Sequence, residues 1–545
     1  MRARKSLGAH AVVDAMTRSG VKRAFTVSGN HIMSLFDASL DAGVELIHTR
    51  HEAAAVHMAD SWARLTGEPG IAWVTGGPGH ANAVSALFTA KLAESPVVLL
   101  SGHAPQDQVG RGAFQEMRQA EMAQGVTKAS RTASDARVVG QDVTSAIREA
   151  ISGRPGPVHL SLPTDVLERD ADAHGPAADA MAPRQMPLGR DDADGILAWL
   201  RRAQSPLVLM GPSGLSHALR SQMDELGEAL GIPVIGMESP RGVQDPSLGT
   251  FIEVLAKADA VLLLAKRLDF TLRFGASALF ADGCEFVQID PEPEEIQRAQ
   301  RALGGRLKRA VVADTRSAAE ALKVAGAGRS NGRAWRQDVE AAIRYRPESW
   351  DTVRSSQVGR LHPVQVCRPF QSILDRHPAA VLVCDGGEFG QWAQACLRAS
   401  NRVVNGPAGA IGASLPMAVA ARLAKPNAPV IAFLGDGSFG FHAAEFDTAV
   451  RYQLPFLAVV GNDAHWNAEF QIQLRTYGPD RAVGCDLLPT RYDQVTTAFG
   501  GYGEMVDHPD QLSAAIGRCL ECGRPACLNV AIEGVPAPVI EHRPG

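Results

Sequence analysis

Short runs of unbroken apolar residues alternate along this chain with longer amphipathic stretches. In the first 170 residues, strand-like runs at Arg23–Val27, Val44–His48, Ile71–Thr75 and Pro96–Ser101 alternate with helical patterns at His31–Leu40, Glu52–Leu65 and from about Asn82. A strand buried on both faces carries no polar alternation, and helices between such strands make parallel crossovers. Gly153–Val166 (GRPGPVHLSLPTDV) closes this unit. The rhythm returns twice. Strands are expected near Pro206–Met210, Ile232–Ile235, Ala260–Leu264 and Glu285–Ile289, and again near Ala380–Cys384, Arg402–Val404, Pro429–Leu434, Phe456–Val460 and Ala526–Ile532. Ala171–Arg190 and Gly326–Arg354 lack a clear period and read as linkers, the second with one charged helix. The expected fold class is α/β, with three doubly wound parallel-sheet domains at 1–170, 190–326 and 359–545.

Composition narrows the class. A length of 545 residues suits three or four domains, and 45% apolar with 21% charged residues is ordinary globular usage. Lys and Arg total 54 against 59 Asp and Glu, a net charge of 54 − 59 = −5, which argues against a nucleic-acid or anionic-membrane partner. No run of 18 apolar residues suggests a membrane span. The first residues, MRARKSLGAHAVVDAM, hold no apolar signal core, so a cytoplasmic location is expected. Of the 8 cysteines, Cys519, Cys522 and Cys527 form a CxxC and one more. Without a second CxxC or a nearby His pair, they read as a helix end running into a strand rather than as half a zinc site.

The sharpest chemical signal is Val430–Gly440, VIAFLGDGSFG, an apolar strand entering a Gly-rich turn and then a helix. Gly435-x-Gly437-x-x-Gly440 matches a dinucleotide fingerprint, with Asp463 near the end of the next strand, so a nicotinamide oxidoreductase is one reading. Asp436 inside the turn favours another. A carboxylate there repels a diphosphate unless a divalent cation sits between them, and Mg²⁺ takes one or two carboxylates plus phosphate oxygens. The following strand ends at Gly461-Asn462-Asp463. Turns after adjacent parallel strands lie side by side, so Asp436 and Asp463 can share one ion, with the N–H groups of Gly437 and Ser438 on the phosphate.

GDG followed by about 25 residues and Asn462-Asp463 resembles the thiamine diphosphate (ThDP) motif, whose second Asn is here an Asp. HPVQV (His362–Val366), DGGEFGQWAQ (Asp385–Gln394), AGAIGASLPMAVAA (Ala408–Ala421) and EFDTAVRYQLP (Glu445–Pro455) extend the resemblance to the acetolactate synthase and benzaldehyde lyase branch of ThDP-dependent enzymes. It implies a metal site of Asp436, Asp463 and the His465 carbonyl, holding Mg²⁺ or Ca²⁺. The cofactor-binding set it implies adds Gly387, Glu388, Phe389, Gly409, Ile411, Gly435, Gly437 and Ser438, with Ile411 as the fulcrum that bends the cofactor and the Gly409 carbonyl on its 4′-amino group. Glu52, in Thr49-Arg50-His51-Glu52, matches the Glu that hydrogen-bonds N1′ of the aminopyrimidine. Gln115, in Gly112-Ala113-Phe114-Gln115-Glu116, matches a Gln at the reacting centre, and His31 falls where benzaldehyde-lyase-like enzymes carry a proton-shuttling His. His51, His80 and Trp466 are as consistent with structural roles.

The resemblance further implies FAD or ADP in the central domain, where Lys266–Phe270 and Gln288–Asp290 sit at expected strand ends. It implies a homodimer or homotetramer in which the first domain of one subunit faces the third of its partner. The expected activity is acetolactate-synthase-like: decarboxylation of a 2-oxo acid such as pyruvate and ligation to a second carbonyl. The alternative is a benzaldehyde-lyase-like enzyme or a 2-hydroxyacyl-CoA lyase, with an aldehyde or 2-hydroxyacyl-CoA as substrate. That alternative is favoured by His31 and by Ile472 in place of a Trp.

Overall fold

Three parallel sheets follow from the three apolar rhythms. The computed structural model describes residues 6–171, 181–326 and 333–541; residues 172–180, in the first expected linker, and 327–332, in the second, lie outside the described residues. The first sheet contains β1 (Arg23–Thr26), β2 (Glu45–His48), β3 (Gly70–Val74), β4 (Val97–His103), β5 (Ala129–Thr132) and β6 (Val158–Pro163), in the order β2-β1-β3-β4-β6-β5. The second contains β7 (Pro206–Met210), β8 (Val234–Gly236), β9 (Ala260–Leu264), β10 (Glu285–Asp290) and β11 (Leu307–Val312), in the order β11-β10-β9-β7-β8. The third contains β12 (Val381–Cys384), β13 (Asn401–Val404), β14 (Val430–Gly435), β15 (Leu457–Asn462), β16 (Tyr502–Val506) and β17 (Ala526–Ala531), in the order β13-β12-β14-β15-β17-β16. The first and third sheets therefore share one topology. In each, chain direction across the sheet reverses between the first and third strands, which opens a crevice at the carboxyl ends of the strands.

The central strands β3, β4, β7, β9 and β12 are buried along their whole length, the condition that makes them continuous apolar runs in sequence. Three strands without such a run, β5, β11 and β16, lie at sheet edges and are largely half-buried or exposed.

The three sheets fall into two compact units, Met1–Pro187 with Ser216–Ala218 and Leu188–Leu215 with Leu219–Gly545. The second and third sheets share one unit because polar bonds join them. Half-buried Arg402 reaches buried Glu238 at 2.7 Å, while Arg346 donates to Ser247 O at 3.1 Å and also to Ala395 O. Losing one partner of a buried pair strands a charge, so such contacts fix one arrangement. No described helix is long and apolar enough to cross a membrane.

In the first unit, the helix Glu52–Thr66 is rich in alanine and buries most of its length. Small side chains let its backbone approach the sheet so closely that a Cβ at Gly70 would stand 2.0 Å from Ala59 O. Gly70→Ala is therefore expected to lower the thermal unfolding midpoint, at a cost of about 1–3 kcal/mol for an overpacked contact that backbone cannot easily yield. Alanine at Gly43, where a Cβ meets nothing within 4 Å, loses only the ease of its left-handed φ of 66° and serves as the comparison.

Candidate active site

In the second unit the parallel register aligns Gly435 of β14 with Gly461 of β15, so the turns after the two strands emerge side by side. Asp436 follows the first and Asp463 the second, and their carboxylates are 2% and 6% exposed by residue. Asp436 Oδ1 accepts from the Gly437 N–H at 3.0 Å, while its Oδ2 is buried without a hydrogen-bond partner. The segment after β15 folds back on itself. The His465 N–H donates to Asp463 Oδ1 at 3.1 Å, His465 Nδ1 lies 2.7 Å from Asp463 O, and Ala464 takes a left-handed φ of 62°. Trp466 then lies over the Gly-rich turn: a Cβ at Gly437 would meet its ring at 2.5 Å, so glycine is required there.

Two buried carboxylates at close range cannot both ionise cheaply. Burial first, and then the charge of Asp436, push Asp463 up to about 8; burial pushes Asp436 up to about 6. A cation between them would remove this cost and give the unpartnered Oδ2 a partner to ligate. Among the described residues no three His, Cys, Asp or Glu side chains cluster for a metal, so an ion here needs backbone and phosphate oxygens as well. The residues fit a divalent cation carrying a diphosphate.

The neighbouring strand end completes this cluster. Asp385, directly after β12 and 1% exposed, accepts three backbone N–H groups, from Gly386 at 2.7 Å, Gly412 at 2.9 Å and Ser414 at 3.0 Å. It thereby ties the Gly409–Gly412 loop to the sheet. Asn405 Nδ2 holds Ala410 O at 2.9 Å and His442 Nδ1 meets Gly412 O at 2.8 Å, joining the loop to the helix that begins at Asp436. Ile411 stands against Gly386, where a Cβ would lie 2.7 Å from its Cγ2. Gly387 opens the helix Gly387–Cys396 with φ 77°. Phe389 packs on Phe433 and over Gly461. Glu388 is buried and bonds Arg241 at 3.1 Å, so its carboxylate is committed to the central sheet's loops.

The first unit gathers the other predicted residues. Glu52 opens its helix, whose N-cap His51 accepts from the Ala53 N–H at 3.1 Å. Asn82 Nδ2 donates to Glu52 Oε2 at 3.0 Å, and a Cβ at Gly79 would sit 3.2 Å from Oε1. His31 is 4% exposed, stacks on Phe114 with centroids 5.9 Å apart, and places Nδ1 3.2 Å from Thr75 Oγ1. Burial lowers its pKa, against the raising effect of the Phe114 carbonyl and Gln115 side chain, which keeps the imidazole neutral near pH 7. Gln115 holds a left-handed φ of 57°, and its buried Oε1 makes no hydrogen bond of ordinary geometry while lying near enough to the His31 ring to favour its protonated form. Gln119 fixes the adjoining turn: Oε1 accepts from the Gly77 N–H at 2.9 Å, while Nε2 reaches Gly102 O and Ser161 Oγ. Asp385, Asn82, Thr75 and Gln119 were not indicated by sequence reasoning. The Gly77-Pro78-Gly79 turn and the Asp385-Gly386-Gly387 turn, each after an apolar strand, were the available signals.

The central sheet answers its nucleotide expectation differently. Lys266 is buried, with Nζ 2.6 Å from Thr271 Oγ1, 2.8 Å from Arg267 O and 3.5 Å from Asp269 Oδ1. Arg267 faces Glu292 at 3.4 Å and Glu295 at 3.5 Å, and Gln288 Nε2 bonds Asp290. Leu215 fills the space above Gly236. The cations at these strand ends are thus paired with carboxylates of the same loops. The CxxC is structural in setting: Cys519 is buried in the helix Pro509–Glu521, Cys522 caps it, and Cys527 lies in β17.

Because Asp436 and Asp463 titrate above the ordinary value of 3.8, the metal-free fold loses their contribution as pH rises through about 6 and 8. With a chelator present, the thermal midpoint is expected to fall between pH 5 and pH 8.5 partly for this reason. Asp463→Asn, which keeps shape and removes the second charge, is expected to narrow that fall.

Comparison with known proteins matches this geometry. Residues 7–122 match the thiamine pyrophosphate enzyme N-terminal TPP binding domain, 193–322 the central domain and 385–530 the C-terminal TPP binding domain. The acetolactate synthase large subunit IlvG of Mycobacterium tuberculosis is 31% identical over 525 residues, covering 94% of this chain and 93% of that protein. The 2-hydroxyacyl-CoA lyase of Arabidopsis thaliana is 28% identical, covering 98% and 97%, and human 2-hydroxyacyl-CoA lyase 2 is 28% identical, covering 96% and 90%. The chain belongs to the thiamine pyrophosphate enzyme family and is a ThDP-dependent enzyme.

Proposed function

We propose that this chain is a ThDP- and Mg²⁺-dependent enzyme of carbon–carbon bond chemistry, acetolactate-synthase-like. It takes a 2-oxo acid such as pyruvate, releases CO₂ and joins the remaining acyl unit to a second carbonyl. The observation that carries the cofactor part is the pair of buried carboxylates on adjacent turns, one with an unpartnered oxygen. The relatives named acetolactate synthase support the choice of reaction.

Asp436, Asp463 and the His465 carbonyl would hold the cation, and Gly435, Gly437 and Ser438 would line the diphosphate. Gly387 and the Gly409 carbonyl would border the cofactor, and Ile411 would pack against it from a loop anchored by Asp385. When bound, ThDP supplies the carbon nucleophile and the electron sink. Glu52 holds a proton at N1′ of the pyrimidine, and Asn82 keeps that carboxylate aimed. Neutral His31 moves a proton at the substrate oxygen, with Gln115 beside it orienting the carbonyl. The protein works as a cytoplasmic homodimer or homotetramer, in which one protomer supplies Glu52 and its partner the cation turns.

A second reading, lysis of a 2-hydroxy ketone or 2-hydroxyacyl-CoA, is favoured by the buried neutral His31 and by Ile472, together with the 2-hydroxyacyl-CoA lyase relatives. Product analysis with pyruvate, benzoin and a 2-hydroxyacyl-CoA separates the two: acetolactate from pyruvate is expected, and turnover of only the latter two overturns the first reading. Glu52→Gln is expected to lower kcat by about 10²–10⁴-fold, the usual worth of a positioned proton-transfer group, while ThDP affinity changes only a few-fold. Full activity in that variant contradicts the assignment.

A further inference from the structure

The end of the third sheet opposite Asp436 and Asp463 carries two cavities that no assigned role uses. One, of about 690 Å³, is lined by Arg346, Arg398, His377 and Cys396. The other, of about 710 Å³, shares His377 and adds Arg376, Arg422 and Arg524. Ala380, Val430 and Leu457 in their walls stand at the amino ends of β12, β14 and β15. With six residues in β14, at about 3.3 Å rise each, these cavities lie about 20 Å from the cation turns.

Five arginines and a histidine face only two carboxylates across this basin, Asp375 and Glu521, in a chain whose net charge is −5. Among the described residues none of the five arginines forms an ion pair. Arg346 spends its donors on the carbonyls of Ile343, Tyr345, Ser247 and Ala395, Arg398 donates to Arg344 O at 2.8 Å, and Arg422 to Ala428 O at 2.8 Å. Carbonyls orient a guanidinium without cancelling its charge. Burial first, and the nearby Arg398 charge second, pull Arg346 down to about 10, and Arg398 is lowered by burial and by Arg344. Partly desolvated like charges are costly unless an anion joins them.

The geometry points to a binding site for a small molecule bearing several phosphate charges, seated across the two cavities with His377 at their junction. Each lobe has the volume of an ordinary ligand pocket, and guanidinium forks match phosphate oxygens in shape and charge. Two cationic lobes suit a chain of linked phosphates better than a single monoanion. The site does not depend on the reaction proposed above.

Inorganic tripolyphosphate tests this without a nucleoside that other regions could hold. The full chain is saturated with ThDP and Mg²⁺, at fixed free Mg²⁺ and ionic strength, and titrated calorimetrically. Saturable binding is expected, weakened at least tenfold in Arg376→Gln/Arg398→Gln, which removes one exposed arginine from each lobe and leaves steady-state activity unchanged. Absence of saturable heat, an equal dissociation constant in the double variant, or displacement by further ThDP each overturns the proposal.

Discussion

Two acids held against each other out of water constrain everything around them. Nothing in folding alone rewards burying Asp436 beside Asp463, and both carboxyls are driven above their ordinary range for that reason. A divalent cation turns the penalty into an attraction, since the same low-dielectric setting that punishes two anions strengthens their grip on an ion of opposite charge. The surrounding structure is arranged to keep the pair in place. The Asx-type turn at 463–465 aims one carboxylate, Trp466 closes over Gly437, and Asp385 secures the loop bearing Ile411 through the N–H groups of Gly412 and Ser414.

Much of this was legible in the chain, and for definite reasons. Strands covered on both faces had to be continuous apolar runs, so β3, β4, β9 and β14 stood out in sequence. Edge strands β5, β11 and β16 face water on one side and mix Lys, Arg, Glu and Ser with apolar residues, which erased their signal. Asp436 and Asp463 could be paired from sequence because successive parallel strands place their following turns together. Asp385, Asn82 and Gln119 could not, because each acts on a backbone or side chain 27 to 42 positions away and leaves no periodic trace. The grouping of the second and third sheets into one unit was equally hidden, since it rests on long-range pairs such as Arg402 with Glu238.

The central sheet shows how strand-end polarity can mislead. Lysine and arginine at the carboxyl ends of parallel strands suggest phosphate recognition, yet Lys266 is turned onto Asp269 and Thr271, and Arg267 onto Glu292 and Glu295. Their charges stabilise loops. Around Arg346 and Arg398 the opposite holds: the donors are engaged but the charges are not cancelled. The distinction between a bonded cation and a neutralised one decides which cluster has capacity left for a ligand.

Manganese tests the central pair most directly, because its electron paramagnetic resonance signal reports on coordinated ions. Wild-type chain mixed with Mn²⁺ should hold one tightly bound ion per chain only when ThDP is also present. Asp436→Ala combined with Asp463→Ala should lose both the bound-ion spectrum and the retention of ThDP. Unchanged ThDP affinity in that double variant, or in wild-type protein stripped of divalent metal, would contradict the account.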